Sequence, residues 1–315
     1  MMTGILIAIA AGAASALMFA SIISGAALSV ILMYLAPLPL LVAALGWGPV
    51  TAAIGGVTAA LTLGITIGWA HMLAFAVWAA IPALWLGHLL LLGRPAETPA
   101  APIHGDASAI EWYPIGRVLM WIAAFAAAIT IGTLLMLGTD AETINAAMRR
   151  TLTRTFGARA GASEIGAMMA LIAPAAGALG TMVALTLNVW LAAKIVNMSG
   201  RLRRPWPDLK ATALPPMTMA ALSAAIAFCF TGGLLALAAQ VVSAAMMTAY
   251  AMIGFATLHT VTLALKSRGL WLSFAYLTVA VFGWPIVLMT IVGLADAVFG
   301  FRQRFMQRHT PVVPS

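Results

Sequence analysis

The stretch MYLAPLPLLVAALGWG, Met33 to Gly48, is apolar enough to lie in a bilayer, yet Pro37 and Pro39 stand inside it. Proline has no backbone donor, and its ring crowds the carbonyl one turn back, so each of the two tends to interrupt a helix. The amides at 37 and 39 are lost and the carbonyls near 33 and 35 are crowded. Non-helical backbone at membrane depth persists only where protein or a water-filled cavity meets the freed groups. Interrupted helices also line the binding cavities of transporters. The stretch therefore predicts a helix broken between Ala36 and Leu40, with the break beside a cavity. Tyr34, Pro37, Pro39 and Trp47 become candidate ligand-binding residues, and Met33 and Trp69 extend the same adaptable, partly aromatic wall. A plain kink packed against neighbouring helices is the alternative.

The rest of the chain fits a membrane setting. Of 315 residues, 63% are hydrophobic and only 8% charged, with a mean hydropathy of +1.05, against about 25% charged in soluble domains. No charged side chain precedes Arg94. A soluble fold cannot expose so long an uncharged stretch, so the chain reads as a polytopic membrane protein. The N-terminus lacks the basic flank of a cleaved signal, so Gly4 onward reads as a retained helix. The net charge of +8 does not point to nucleic acid, because the basic residues are scattered through connecting segments, where anionic headgroups account for them. The single cysteine, Cys229, excludes an internal disulfide and a cysteine-cluster metal site.

The fold class expected is all-α: a transmembrane helical bundle of about nine spans, at 4–24, 26–45, 48–68, 70–92, 114–137, 166–196, 214–239, 241–265 and 270–296. An uncharged four-helix portion, 1–92, has tight turns at Gly25, Gly46–Pro49 and Gly68–His71. A polar, Pro/Ala-rich loop at 93–113 separates it from a five-helix portion, 114–300, and a basic tail covers 301–315. Within the second portion, Ile144, Met148, Leu152 and Phe156 recur every fourth residue, with Arg149, Arg150 and Arg154 off that stripe. This predicts an interfacial amphipathic helix over 143–156, as an anchor or as a lid over a cavity.

Orientation follows the positive charges. Arg94, Arg117, Lys194, Arg201, Arg203, Arg204, Lys210, Lys266 and Arg268 fall on one side. Arg149, Arg150, Arg154, Arg159, Arg302, Arg304 and Arg308 fall on the other. The bias favours the first set, with its cluster SGRLRRPWPDLK (199–210), as cytoplasmic. The basic tail opposes that count.

Ala8, Gly12, Ala16, Ala20 and Ser24 form a row of small residues in the first span, and Gly48, Ala52, Gly56, Ala60, Gly64 and Gly68 another in the third. Such rows let helix backbones approach closely in lipid. The first is a candidate partner-docking face. Among polar residues at membrane depth, Asn188 and His259 are candidate ligand-binding groups; Asn188 shares its spacing with Gly180, Ala184 and Ala192. Gln240 reads as a turn between spans, Asp296 as a water-facing helix end, and His71 and His88 as interfacial. No GxxxxGK[ST], HExxH or GxSxG occurs, and no span holds a pair of acidic residues. No catalytic residue, metal site or cofactor is therefore assigned, and the chain reads as a non-enzyme.

The segments GAASALMFASIISGAALSVILMYLAPLPLLVAALGWG, GRLRRPWPDL, MIGFATLHTV and GLADAVFGFRQR resemble the YybS-like family of predicted bacterial membrane proteins, a domain of unknown function. That family is in turn similar to the substrate-binding (S) components of energy-coupling-factor (ECF) vitamin transporters. The resemblance implies a multi-pass protein of the bacterial inner membrane that binds a micronutrient-like small molecule. It also implies docking on a transmembrane partner with ATPase subunits. In S components a small-xxx-small pattern in the first helix meets the partner, and the matching positions here are Ala8, Gly12, Ala16 and Ala20. S components usually carry six helices, fewer than the nine read here. A non-transporting scaffold for cell-envelope assembly is the alternative function.

Overall fold

A computed structural model describes residues 2–95, 110–157 and 163–309. Most of the polar loop at 93–113, Arg159 and the end of the basic tail lie outside the described residues, as does the side chain of Phe156. What is described is almost wholly helical, and the chain is an all-α polytopic bundle. Among the described residues, seven helices are long and apolar enough to cross a membrane, or eight if one bent pair forms a single span. The residues cluster into two compact units: 1–125 with 183–206, and 126–182 with 207–315. Their boundaries fall inside helices, so the units are interleaved along the chain rather than divided at the 93–113 loop.

In the first unit, α1 (Met2–Ala20) ends in a tight 3-10 turn, Ser21–Ser24, and is followed by α2 (Ala27–Leu35), α3 (Pro37–Trp47) and α4 (Pro49–Thr66). Then come α5 (Trp69–Phe75) and, after a single wide π turn, α6 (Ile81–Leu91). The expected turns are present. Gly25, Gly48 and Gly68 adopt positive φ of 68°, 103° and 136°, conformations that only glycine takes at little steric cost. The ends of the polar loop form strands β1 (Gly93–Pro95) and β2 (Ile110–Trp112), which pair antiparallel. Their Arg94–Glu111 salt bridge is exposed, so it contributes little.

The small-residue rows pack inside this unit, in a register one residue away from the expected one. A Cβ on Gly12 would overlap the Gly55 carbonyl, and one on Gly55 would overlap the Ala8 carbonyl. The tightest approach of α1 to α4 is therefore at Gly55, outside the Gly48–Gly68 row. Of that row, Gly56 lies against Ala80, and Gly64 against the flexible Met72 side chain. Ala8, Gly12 and Ala16 are buried. This corrects the expectation of a partner-docking face, because α4 covers these residues; Ala20 is only half-buried.

α7 (Ile115–Leu137) and α9 (Glu164–Met198) each contribute to both units. α9 has 35 residues, about 52 Å at 1.5 Å per residue, well beyond a hydrocarbon core of about 30 Å. Between them lies the expected amphipathic helix, α8 (Ala141–Phe156). Its Asp140 cap accepts from the Thr143 backbone and side chain, which holds the carboxyl below its ordinary value. Ile144 and Met148 are buried, whereas Arg149 and Arg150 are exposed.

The second unit continues with α10 (Met217–Phe228), α11 (Gly233–Val261), α12 (Arg268–Phe282), α13 (Ile286–Phe299) and α14 (Phe301–His309). The expected boundaries fail here. The turn predicted at Gln240 lies inside the 29-residue α11, and the stop comes at Gly232 and Gly233, with φ of 85° and 65°. The span expected over 270–296 is interrupted at Gly283, φ 70°, just before Pro285. The two glycine stops leave α10 and α12 shorter than a span. α13 and α14 meet at a 63° bend.

α11 and α13 approach as closely as α1 and α4. A Cβ on Gly254 would overlap the Met289 carbonyl, and one on Gly293 the Tyr250 carbonyl. Thr290 Oγ1 donates to the Met247 carbonyl at 3.0 Å beside this crossing. The buried Tyr250 hydroxyl shares a 2.7 Å hydrogen bond with Thr218 Oγ1, tying α10 to α11. In lipid, apolar burial gives little preference for helix against helix, so such close packing and polar bonds carry the association.

The two crossings should be the least tolerant positions in the chain. Gly55→Leu and Gly254→Leu should each lower thermal stability in detergent by at least the roughly 1–3 kcal/mol typical of overpacking. Gly132→Leu, where a Cβ has nothing within 4 Å, should leave it unchanged.

Candidate functional site

The proline stretch interrupts its helix at a single residue. α2 ends at Leu35 and α3 begins at Pro37, while Ala36 keeps helical angles of φ −55° and ψ −34°. Ala27–Trp47 counts as one span. Pro37 and Pro39 lie in the first turn of α3, where backbone amides have no partner in the helix anyway. That is why two prolines are tolerated so close together.

The carbonyls beside them are met by side chains from other helices. Ser15 Oγ on α1 donates to the Ala36 carbonyl at 2.6 Å. Asn188 Nδ2 on α9 donates to the Tyr34 carbonyl at 2.8 Å and to its own Ala184 carbonyl at 2.7 Å. Ala36, Leu40, Leu41, Ser15 and Asn188 are fully buried. The break expected to border a cavity is therefore lined at these carbonyls by packed protein, as in the alternative reading. Both amide hydrogens of Asn188 face carbonyls, which settles which side-chain atom is the nitrogen. Its Oδ1 is buried and makes no hydrogen bond among the described residues.

The other candidates around this point have separate surroundings. The Tyr34 ring lies 5.5 Å from that of Trp78. Trp47 is covered by the Arg201 guanidinium, 4.9 Å from its ring centroid. Trp69 is exposed. Trp47 belongs to a cationic–aromatic belt that sequence reasoning missed: Lys194 lies 5.6 Å from the Trp206 ring and Arg204 6.0 Å from that of Trp112. Arg204 Nη1 also donates to the Tyr113 carbonyl at 2.9 Å, and burial pushes its guanidinium below the ordinary arginine value. The basic run Arg201–Arg204 followed by Trp206 was the available signal.

His259 belongs to the second unit. Its Nε2 lies 2.9 Å from Tyr276 Oη, and Arg268 Nη2 lies 3.4 Å from its Nδ1. Tyr276 stacks on Phe255 at 4.8 Å, with the rings 3° from parallel. Asp296, expected to face water, is instead buried. Its Oδ2 accepts from Arg302 Nε at 2.7 Å and its Oδ1 from the Arg302 amide at 2.9 Å. Arg302 Nη1 then donates to the Lys210 and Thr212 carbonyls, at 2.6 and 2.8 Å. Gly300 turns the chain at φ 63° so that Arg302 can reach back. A buried ion pair satisfied at both ends is a fixed structural joint, costly to break at either partner.

Comparison of the chain with protein-family models, curated proteins and solved structures finds no match.

The kink makes a testable demand. Ser15→Ala leaves the Ala36 carbonyl without its side-chain donor, and Asn188→Leu does the same for Tyr34. Each should lower the detergent melting temperature by an amount equivalent to roughly 1–3 kcal/mol. Pro37→Ala restores an amide whose helical acceptor is the Met33 carbonyl and not that of Ala36, so it should leave the Ser15→Ala loss unchanged in a double-mutant cycle.

Proposed function

We propose that this chain is a multi-pass protein of the bacterial inner membrane that binds a small, micronutrient-like molecule. In this reading it is akin to the YybS-like family and, beyond it, to the S components of ECF transporters. The observation that supports it is the Asn188 oxygen. It is an amide acceptor at membrane depth, held in orientation by two backbone carbonyls and with no donor of its own among the described residues. An unmet acceptor in such a setting is expensive, and a ligand N–H or O–H would satisfy it. Intramembrane polar groups of this kind mark functional sites by default. The role is binding rather than catalysis. An ATPase-bearing transmembrane partner belongs to the same proposal, docked on a face other than Ala8–Ala16.

A scaffold role in cell-envelope assembly is the second reading. It is favoured by the protein donors Ser15 and Asn188 at the kink, which perform the task a cavity would otherwise have. Native mass spectrometry of the protein released in mild detergent separates the two. A retained small-molecule adduct, absent from Asn188→Leu, is the expected result. A bare chain that co-purifies with envelope subunits would favour the scaffold.

For orientation we place the 199–212 segment in the cytoplasm. Arg302 binds the Lys210 carbonyl, so the basic tail lies at the same end as Lys210. Its Arg302, Arg304 and Arg308 therefore join the larger set of positive charges, giving twelve against four. In a Cys229→Ser background, Ser199→Cys should resist an impermeant thiol reagent added to intact cells and react once the membrane is opened. Labelling from outside would reverse the assignment.

A further inference from the structure

Within the second unit, the segment 268–299 starts and ends at one face. α11 ends at Val261. A short turn then leads into α12, with the Leu265 amide donating to the Thr262 carbonyl and the Arg268 amide to that of Leu265. Lys210 lies within electrostatic reach of the His259 ring, two residues before the end of α11, so Lys210 and the start of α12 share a face. At the far end of the segment, Arg302 follows α13 and donates to the Lys210 and Thr212 carbonyls at 2.6 and 2.8 Å. The chain that leaves this face at Arg268 is back at it by Arg302.

The contacts in between set the directions. Tyr276 stacks on Phe255 at 4.8 Å, and its hydroxyl lies 2.9 Å from His259 Nε2. On the return, Thr290 Oγ1 donates to the Met247 carbonyl, and Gly293 abuts Gly254. Both partners advance from the first of these contacts to the second, so α13 runs with α11, towards Val261. Met247 stands fourteen residues from Gly233 and fourteen from Val261. α13 begins four residues before Thr290, about 6 Å further from the Val261 end, so it starts beside the middle of α11. α12 must therefore run against α11. Were it to run with α11 from Tyr276, Phe282 would lie roughly 20 Å from Ile286, a gap that four residue steps of at most about 14 Å cannot close.

The lengths and the turn agree with this path. α12 and α13 have 15 and 14 residues, about 22 and 21 Å of helix, each too short for a hydrocarbon core of about 30 Å. Gly283 has φ 70° and ψ −55°, and the Trp284 amide donates to the Phe282 carbonyl at 2.8 Å. That is a γ-turn, which reverses the chain within three residues. The carbonyls of Phe282, Gly283, Trp284 and Pro285 all accept backbone amides, and the amides of Gly283 and Trp284 both donate. The turn itself thus brings little unmet backbone into hydrocarbon. The reversal takes the helical donors of two carbonyls in α12, those of Ala280 and Val281, because the Trp284 amide is turned to Phe282 and Pro285 has none. A donor for these two is what the turn requires of its surroundings.

We propose that residues 268–299 form a re-entrant hairpin: α12 descends from the Lys210 face, the turn at 283–285 reverses it near the middle of the bilayer, and α13 returns to the same face. A segment whose hydropathy reads as one span over 270–296 then crosses nothing, which is how the basic tail reaches the Lys210 carbonyl. The buried Asp296–Arg302 pair clasps the returning end. α12, which has no buried residue, is the outer arm, tied to α11 through Phe255 and His259. The hairpin is independent of Asn188 and of the small-molecule reading.

The test places one cysteine at each end of the hairpin in the full chain, in a Cys229→Ser background. Ser267→Cys and Gln303→Cys are both at exposed positions; Arg304→Cys, also exposed, replaces the second if that variant does not fold. Each is treated with an impermeant thiol reagent in intact cells and again after the membrane is opened. The two ends should behave alike: both protected until opening with 199–212 in the cytoplasm, both labelled from outside with the orientation reversed. Labelling of one end and protection of the other in intact cells would show that 268–299 crosses the bilayer and would overturn the proposal. Depth is read separately in liposomes, from a fluorophore on Trp284→Cys, an exposed position in the turn. Lipids brominated near the end of the acyl chain should quench it more strongly than lipids brominated near the headgroup, and the order should reverse for the same fluorophore on Ser267→Cys. Stronger quenching of the 284 label by the headgroup-proximal bromine, or equal quenching by both, would place the turn at the surface and overturn the hairpin.

Discussion

Hydrocarbon offers no hydrogen bond, so a peptide carbonyl freed inside a bilayer must find its donor within the protein. In the first unit two carbonyls at the proline break, those of Tyr34 and Ala36, take such donors from side chains of other helices. Ser15 reaches one from α1 and Asn188 reaches the other from α9. The two bonds tie α1 and α9 to the helix pair that meets at Ala36, and their donors, Ser15 and Asn188, are fully buried. The hydroxyls of Thr58, Thr62 and Thr66 answer the same constraint more cheaply, each donating to a carbonyl of its own helix.

Close packing supplies what the polar bonds do not. Where α1 crosses α4, and where α11 crosses α13, no side chain separates the backbones, and glycine is the only residue that fits. Because lipid solvates leucine as well as a protein core does, dispersion across a tight crossing and the hydroxyl bonds beside it are what distinguish the packed state from separated helices. Thr290 on Met247 and Thr218 on Tyr250 flank the second crossing for this reason.

Much of this was legible in the amino-acid sequence, and the failures have physical causes. The first four helices and their glycine turns could be read because a long apolar run ends where glycine permits positive φ. Gly12 was visible as part of a spaced row. Its true partner Gly55 was not, because a shift of one residue turns a helix face by about 100°, and one sequence does not say which row a neighbour uses. Gly232, Gly233 and Gly283 were absorbed into expected spans, since a window of apolar residues registers hydropathy and not a backbone stop. Asn188 drew attention as a polar residue among small ones, but the carbonyl it serves has no letter of its own. Asp296 and Arg302 were both noticed. That they join depends on Gly300 folding the tail back, which charge counting along a line cannot represent.

The Asn188–Tyr34 bond joins residues 154 positions apart, and this separation has a consequence for biosynthesis. At about 5–20 residues per second, the ribosome adds those 154 residues in roughly 8 to 30 s. During that interval the segment around Tyr34 can already be threaded into the membrane while its final donor has not yet been made. Ser15, translated earlier, is available to the neighbouring carbonyl from the start. The first unit therefore closes only when α9 enters, long after its own helices have been inserted. Translation must keep the early helices from aggregating, or from pairing with foreign chains, until that late strut arrives.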